Sequence, residues 1–129
     1  ITQGDGSNQR VIKDVLPRQL KYPSLNEVNF IAFNEATEEY HDELYGFIDF
    51  QGWREEYKRG KPLRPYKQIG RNRKIINTEK ILTEYIRHQI HHPENTHNNK
   101  YTEEELLHSI NMMREFISRK QTEENVNPE

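Results

Sequence analysis

Apolar positions along the chain repeat at helical spacing in four places. Ser24-Leu-Asn-Glu27 is a capping-box pattern, in which a serine oxygen accepts from a first-turn amide, and Leu25, Val28, Ile31 and Ala32 behind it share one helical face. A second helix is expected after Thr37, with Tyr40, Leu44, Phe47 and Ile48 turned inward; Gly46 inside it costs about 1 kcal/mol relative to alanine. A third begins near Asn77 or Thr78, carries Ile81, Leu82, Tyr85, Ile86 and Ile90, and ends before Pro93, because a proline pushes its predecessor out of the helical region. The fourth opens with a second capping box, Thr102-Glu-Glu-Glu105, and its stripe is Leu106, Ile110, Met113 and Ile117. Acidic residues at its start and Arg114, Arg119 and Lys120 further along complement the helix dipole.

These stripes predict an all-α fold, a small bundle of four to five helices. Residues 1–19 read as a polar N-terminal segment, 20–120 as the helical domain and 121–129 as a disordered tail. Only 32% of the 129 residues are hydrophobic and 31% are charged, a thin core for one domain. Thirteen aromatic side chains compensate, since each buries much apolar area. Cysteine is absent, which removes disulfides, Cys–zinc sites and thiol catalysis. No apolar run approaches the roughly 20 residues of a membrane span, and no signal peptide opens the chain. A soluble, cytoplasmic domain is expected, and the first residue, Ile1 in place of Met, suits a fragment of something longer.

The formal charge of -2 conceals a segregation. Residues 1–53 hold four basic and nine acidic side chains, residues 54–74 nine and two, and residues 75–129 six and ten, for balances of -5, +7 and -4. Gly60, Pro62, Pro65 and Gly70 stop the basic block from being one helix, and residues 66–76 suit a basic loop or a short β-hairpin about Gly70 to Asn72. Lys67, Arg71, Arg73 and Lys74 are candidate phosphate contacts, with Trp53, Tyr57 or Tyr66 available to stack on bases. The equally weighted reading is a solvated loop docked on acidic faces of this domain or a neighbour.

Chemistry concentrates in Arg87-His-Gln-Ile-His-His-Pro-Glu-Asn95, where three of the six histidines fall within five residues. Three explanations stand. The imidazoles can be polar groups at a helix end, favoured near exposed carbonyls. His88 and His92, four apart, have the spacing for one zinc ion with help from Glu94, His97 or His41, although Gln89 stands where a zinc protease needs its glutamate base. Lastly, Arg87 and His92 together supply what RNA phosphodiester cleavage without metal requires: bidentate donors for the phosphate and a proton carrier near neutrality. Spacing alone is weak, because ten arginines and six histidines in 129 residues give about 0.5 accidental matches. A loosened last turn before Pro93 would bring the two groups to one side.

The run Arg87-His-Gln-Ile-His-His92 resembles the R-x4-H motif of HEPN domains. The resemblance implies a small helical bundle and a metal-independent ribonuclease of toxin, abortive-infection or other antiviral defence systems, cutting RNA such as tRNA or mRNA. It implies no cofactor and no metal, and a homodimer or higher oligomer with a composite site. Arg87 and His92 take the catalytic positions, His88 the polar position that holds a phosphate or the dimer partner, and His91 substitutes for or supports His92. Glu94 and Asn95 are expected to cap the turn that follows. Residues 22–33, 39–46 and 86–95 also look like the C-terminal region of bacterial defence AAA or SMC-like ATPases, which would place an ATPase region upstream in the same longer chain. The alternative function is a non-catalytic RNA-binding or oligomerisation module of such an ATPase. His41 is read as a helix-surface or buried hydrogen-bonded residue, His97 and His108 as surface, and Met112-Met113 as core.

Overall fold

Three helix starts are set by a side chain that satisfies an otherwise orphaned amide, whereas α3 and α4 begin without a side-chain cap. The computed structural model describes residues 24–126, so the expected polar segment at 1–19 lies outside the described residues, as do 127–129. Ser24 Oγ accepts from the Glu27 amide at 3.0 Å and opens α1 (Leu25–Phe33), which Asn34 ends in the left-handed conformation. Thr37 Oγ1 accepts from the Tyr40 amide and opens α2 (Glu38–Phe50). After the short α3 (Arg54–Lys58) the chain forms β1 (Leu63–Ile69) and β2 (Ile75–Ile81), then α4 (Leu82–His91). Thr102 and Glu105 exchange side chain to amide bonds of 3.0 Å each way, a complete capping box for α5 (Glu103–Val126).

The expectation of an all-α fold is corrected: β1 and β2 pair antiparallel from Leu63↔Ile81 to Ile69↔Ile75, giving a mixed α/β architecture close to a helical bundle. The hairpin turns where the sequence suggests, with Asn72 and Arg73 at φ 57° and 59°. Gly70 leaves room for the Ile76 side chain, whose flexible Cδ1 end would have to shift to admit a Cβ there. The third helix, however, does not begin at Asn77 or Thr78. Ile75, Ile76 and Thr78 favour extended backbone, and Thr78 Oγ1 donates to the Tyr66 carbonyl, so the strand continues to Ile81. Helix α5 likewise runs through the expected tail, from Gln121 to Val126.

The core lies between α2 and α5, with α3 and α4 closing it. Tyr40, Leu44 and Ile48 of α2 meet Leu106, Ile110, Met113 and Ile117 of α5, and all are buried. Phe47, expected inward with them, is half-buried edge-on against Trp53. α1 docks by a different face from the one its pattern suggests. Glu27 and Phe30 are buried, while Leu25 and Val28 are 75% and 49% exposed. The cause is the partner surface: Phe30 lies against Tyr40 with ring centroids 5.2 Å apart, and the Arg114 guanidinium sits 4.9 Å from the Phe30 ring, where its charge attracts Glu27. Among the described residues no helix is long and apolar enough to cross a membrane.

A chain of hydrogen bonds crosses this core. His41 Nε2 meets Ser109 Oγ at 2.8 Å, Ser109 meets Thr83 Oγ1 at 2.7 Å, and Thr83 meets the Tyr57 hydroxyl at 2.7 Å. All four side chains are wholly buried and come from α2, α5, α4 and α3 in turn. Burial pushes the His41 imidazole down to about 3, helped by the positive Arg87, and pushes the Tyr57 phenol up to about 12. Burial raises the Glu27 carboxyl to about 7 despite Arg114, with Glu43 adding repulsion.

Removing the middle of the chain leaves His41 Nε2 without a partner and Thr83 with Tyr57 alone, so Ser109→Ala should cost about 1–3 kcal/mol in urea unfolding. Two opposed pH effects follow from linkage. His41 is neutral when folded, so its contribution is full above its ordinary 6.5 and is lost as pH falls toward 3; its ring should stay neutral at pH 5 by NMR. Glu27 contributes stability below its ordinary 4.5 that disappears as pH rises through 7. Glu27→Gln should therefore flatten that limb and unfold at higher urea than the parent at pH 8.

A candidate phosphodiester site at the end of helix α4

Helix α4 ends at His91, two residues before Pro93, with His92 leaving the helical conformation at φ -132° and ψ 64°. Its last turn distributes the predicted site residues over two sides. On the α2 side, His91 Nε2 lies 3.0 Å from Asp42 Oδ2, and Arg87 Nε lies 3.9 Å from Asp42 Oδ1. The Arg87 guanidinium also sits 4.7 Å from the Tyr45 ring, whose hydroxyl donates to Glu84 at 2.8 Å. Burial, together with that hydrogen bond, raises the Tyr45 phenol well above its usual range.

On the hairpin side, His88 and His92 stack with centroids 6.1 Å apart and planes at 22°, and His88 lies 5.3 Å from the Tyr66 ring. Partial burial lowers the His88 imidazole, and the nearby Lys80 lowers it further. His92 Nδ1 pairs with Glu94 Oε2 at 3.2 Å; the Glu94 backbone amide and this histidine together hold the carboxyl below its usual value. These side chains and Gln68 border a cavity of about 260 Å³ between the hairpin and α4. Arg87 and His92 therefore do not come together within one chain. Five residues at about 100° each turn them some 140° apart, and the frayed residue folds toward Glu94 and not back toward the arginine. Among the described residues no group of three or more His, Asp or Glu is arranged to hold a metal ion.

Asn95 does more than close the turn after α4. It is buried, its amide donates to the Lys67 carbonyl at 2.8 Å and to the Tyr66 hydroxyl at 3.3 Å, and its oxygen accepts from the His97 amide. Asn98 accepts from the Lys67 amide at 2.7 Å and donates to the Lys67 carbonyl at 2.9 Å. The two asparagines thus pair with the outer edge of β1 as a neighbouring strand would. Gln89 completes this anchor, donating to the Asn99 carbonyl and accepting from the Tyr101 amide. Sequence spacing gave Gln89 only a negative role, as the residue that breaks a zinc motif.

The basic block divides by position. Arg54, Lys58 and Arg64 pair with Asp49, Glu84 and Glu105, as the docked-loop reading requires. Lys67, Arg71, Arg73 and Lys74 are exposed, and among the described residues no carboxylate lies within 4.0 Å of them. The proposed stacking aromatics are not available to bases. Tyr57 and Tyr66 are buried, and Trp53 is packed edge-on against Phe47 and Phe116. What the tip offers beside its cations is aliphatic, with Ile75 and Ile76 exposed. His97 and His108 are exposed, Met113 is buried and Met112 half-buried.

No protein-family model, curated protein or solved structure matches the chain. The site is accordingly defined by its own geometry: a guanidinium and three imidazoles on one helical end, beside a hairpin whose tip cations have no carboxylate partner among the described residues. Asn98→Ala should unpair the Lys67 amide and speed its hydrogen exchange by at least about tenfold, the effect expected from losing ~1.4 kcal/mol of protection. The α2–α5 core amides should keep their rates.

Proposed function

We propose that this chain is a HEPN-type, metal-independent RNA endonuclease domain, cytoplasmic, acting as a homodimer in an antiviral defence or toxin system. The observation that carries the reading is the half-exposed Arg87 guanidinium standing on the same helical end as His88, His91 and His92. An RNA phosphodiester bound there meets a permanent cation that neutralises charge on the phosphorane and imidazoles that move protons near neutrality. His92 holds the motif's histidine position. Its separation from Arg87 within one chain suits a site completed by a second copy. The exposed Lys67, Arg71, Arg73 and Lys74, without a carboxylate partner among the described residues, would carry the RNA backbone toward it.

Arg87→Ala should lower cleavage of a single-stranded RNA at least ~100-fold with chelator present, while circular dichroism stays unchanged. Equal cleavage by the variant and the parent would sink the reading. One observation favours the second reading, an oligomerisation module of a larger ATPase: Leu25, Val28 and Phe33 of α1 are exposed. Assembly by light scattering with no RNA turnover at high protein concentration would establish that alternative instead.

A further inference from the structure

Asp42 is the residue that no motif in the sequence singles out, and it is the one that joins Arg87 to a histidine. It follows the wholly buried His41 on α2, so its backbone is fixed by the hydrogen-bonded chain through Ser109 and Thr83. From there one oxygen lies 3.0 Å from His91 Nε2 and the other 3.9 Å from Arg87 Nε. Arg87 and His91 are four apart on α4 and share a face, whereas His92 is turned to Glu94 and the hairpin. All three groups remain partly open to solvent, with the Asp42, Arg87 and His91 side chains 31%, 41% and 48% exposed.

Resting on the nuclease reading above, we infer that His91 is the proton-transferring histidine of this site and that Asp42 is its positioning residue. His91 Nε2 and Asp42 Oδ2 lie 3.0 Å apart without the alignment of a hydrogen bond; the negative carboxylate favours the proton on the nearer nitrogen, Nε2, and leaves Nδ1 as the basic nitrogen. Nδ1 takes the proton of the RNA 2′-hydroxyl, and the 2′-oxygen bonds to phosphorus. The bond from phosphorus to the 5′-oxygen then breaks. The leaving 5′-oxygen takes its proton from the protonated imidazole of a second copy, leaving a 2′,3′-cyclic phosphate and a 5′-hydroxyl. Arg87 faces the phosphate from the same side of α4. Neither its buried Nε nor the buried Asp42 Oδ1 has a hydrogen-bond partner among the described residues, so turning the guanidinium to a phosphate loosens the 3.9 Å ion pair with Asp42 and breaks no hydrogen bond. A carboxylate that fixes the imidazole tautomer contributes through orientation, which makes its loss a loss of turnover more than of binding.

The test uses the full chain, a fluorogenic single-stranded RNA with chelator present, and histidine-labelled protein for NMR of the ring nitrogens. In the parent, His91 should show the Nε2-protonated tautomer, and Asp42→Asn should abolish that preference. The same variant should lower kcat about tenfold or more with RNA affinity within twofold, and Asp42→Glu should recover part of the loss. His91→Gln should lower kcat about 100-fold, and by more than His92→Gln does. A faster Asp42→Asn enzyme would mean that the carboxylate plugs the site, and a larger loss in His92→Gln than in His91→Gln would return the role to His92; either result overturns the inference. A parent that cuts no RNA sinks the nuclease reading alone, because the tautomer measurement still decides whether Asp42 holds His91: an Nδ1-protonated ring, or one indifferent to Asp42→Asn, refutes it.

Discussion

The hydrogen-bonded chain from His41 through Ser109 and Thr83 to Tyr57 is the constraint around which the helices are arranged. A buried hydroxyl or imidazole without a partner is costly, so each of these four side chains fixes the position of the next. Apolar packing of α2 on α5 tolerates small slides along the helix axes, whereas bonds of 2.7 to 2.8 Å do not. The register of α2 against α4 is thereby set, and with it the meeting of Asp42 on one helix with Arg87 and His91 on the other. A polar core and a polar surface cluster are two ends of one piece of geometry.

Much of the helical frame is legible in the residues because caps and stripes are local. Ser24, Thr37 and Thr102 announce helix starts by chemistry that acts over three or four residues, and Leu106, Ile110, Met113 and Ile117 can face only one way on a long helix. α1 escapes this logic. It is short and apolar on more than one side, and the choice of Phe30 and Glu27 over Leu25 and Val28 is made by Tyr40 and Arg114, which are distant in sequence. Residues 77–81 escape it for the opposite reason. The apolar stripe starts only at Ile81, so the expected helix start at Asn77 or Thr78 has no packing pattern behind it, and only pairing with β1 reveals that the strand runs on to Ile81.

The candidate site divides in the same manner. Arg87 and the histidines stand together in the sequence, so their concentration at one helical end is plain from it. Which histidine shares a face with the arginine follows from where α4 frays, and that depends on Pro93 and on Glu94 capturing His92. Asp42 carries no local signal, since its role exists only across the α2–α4 contact. The basic block shows the complement: composition reveals its charge, but only pairing reveals which cations are spent on Asp49, Glu84 and Glu105 and which remain at the tip.

The grip of Asn95 and Asn98 on Lys67 gives the two-stranded sheet a direction of growth. Along the outer edge of β1 the Lys67 peptide groups are occupied, and Pro65, the next residue with the same orientation, has no amide to offer. That middle stretch of the edge is closed to a further strand. The outer edge of β2 has no strand beside it among the described residues, and there Asn77 and Glu79 turn their peptide groups outward. A strand joining this sheet is directed to the β2 side, so augmentation would widen the sheet without displacing the loop that roots the hairpin beside His92.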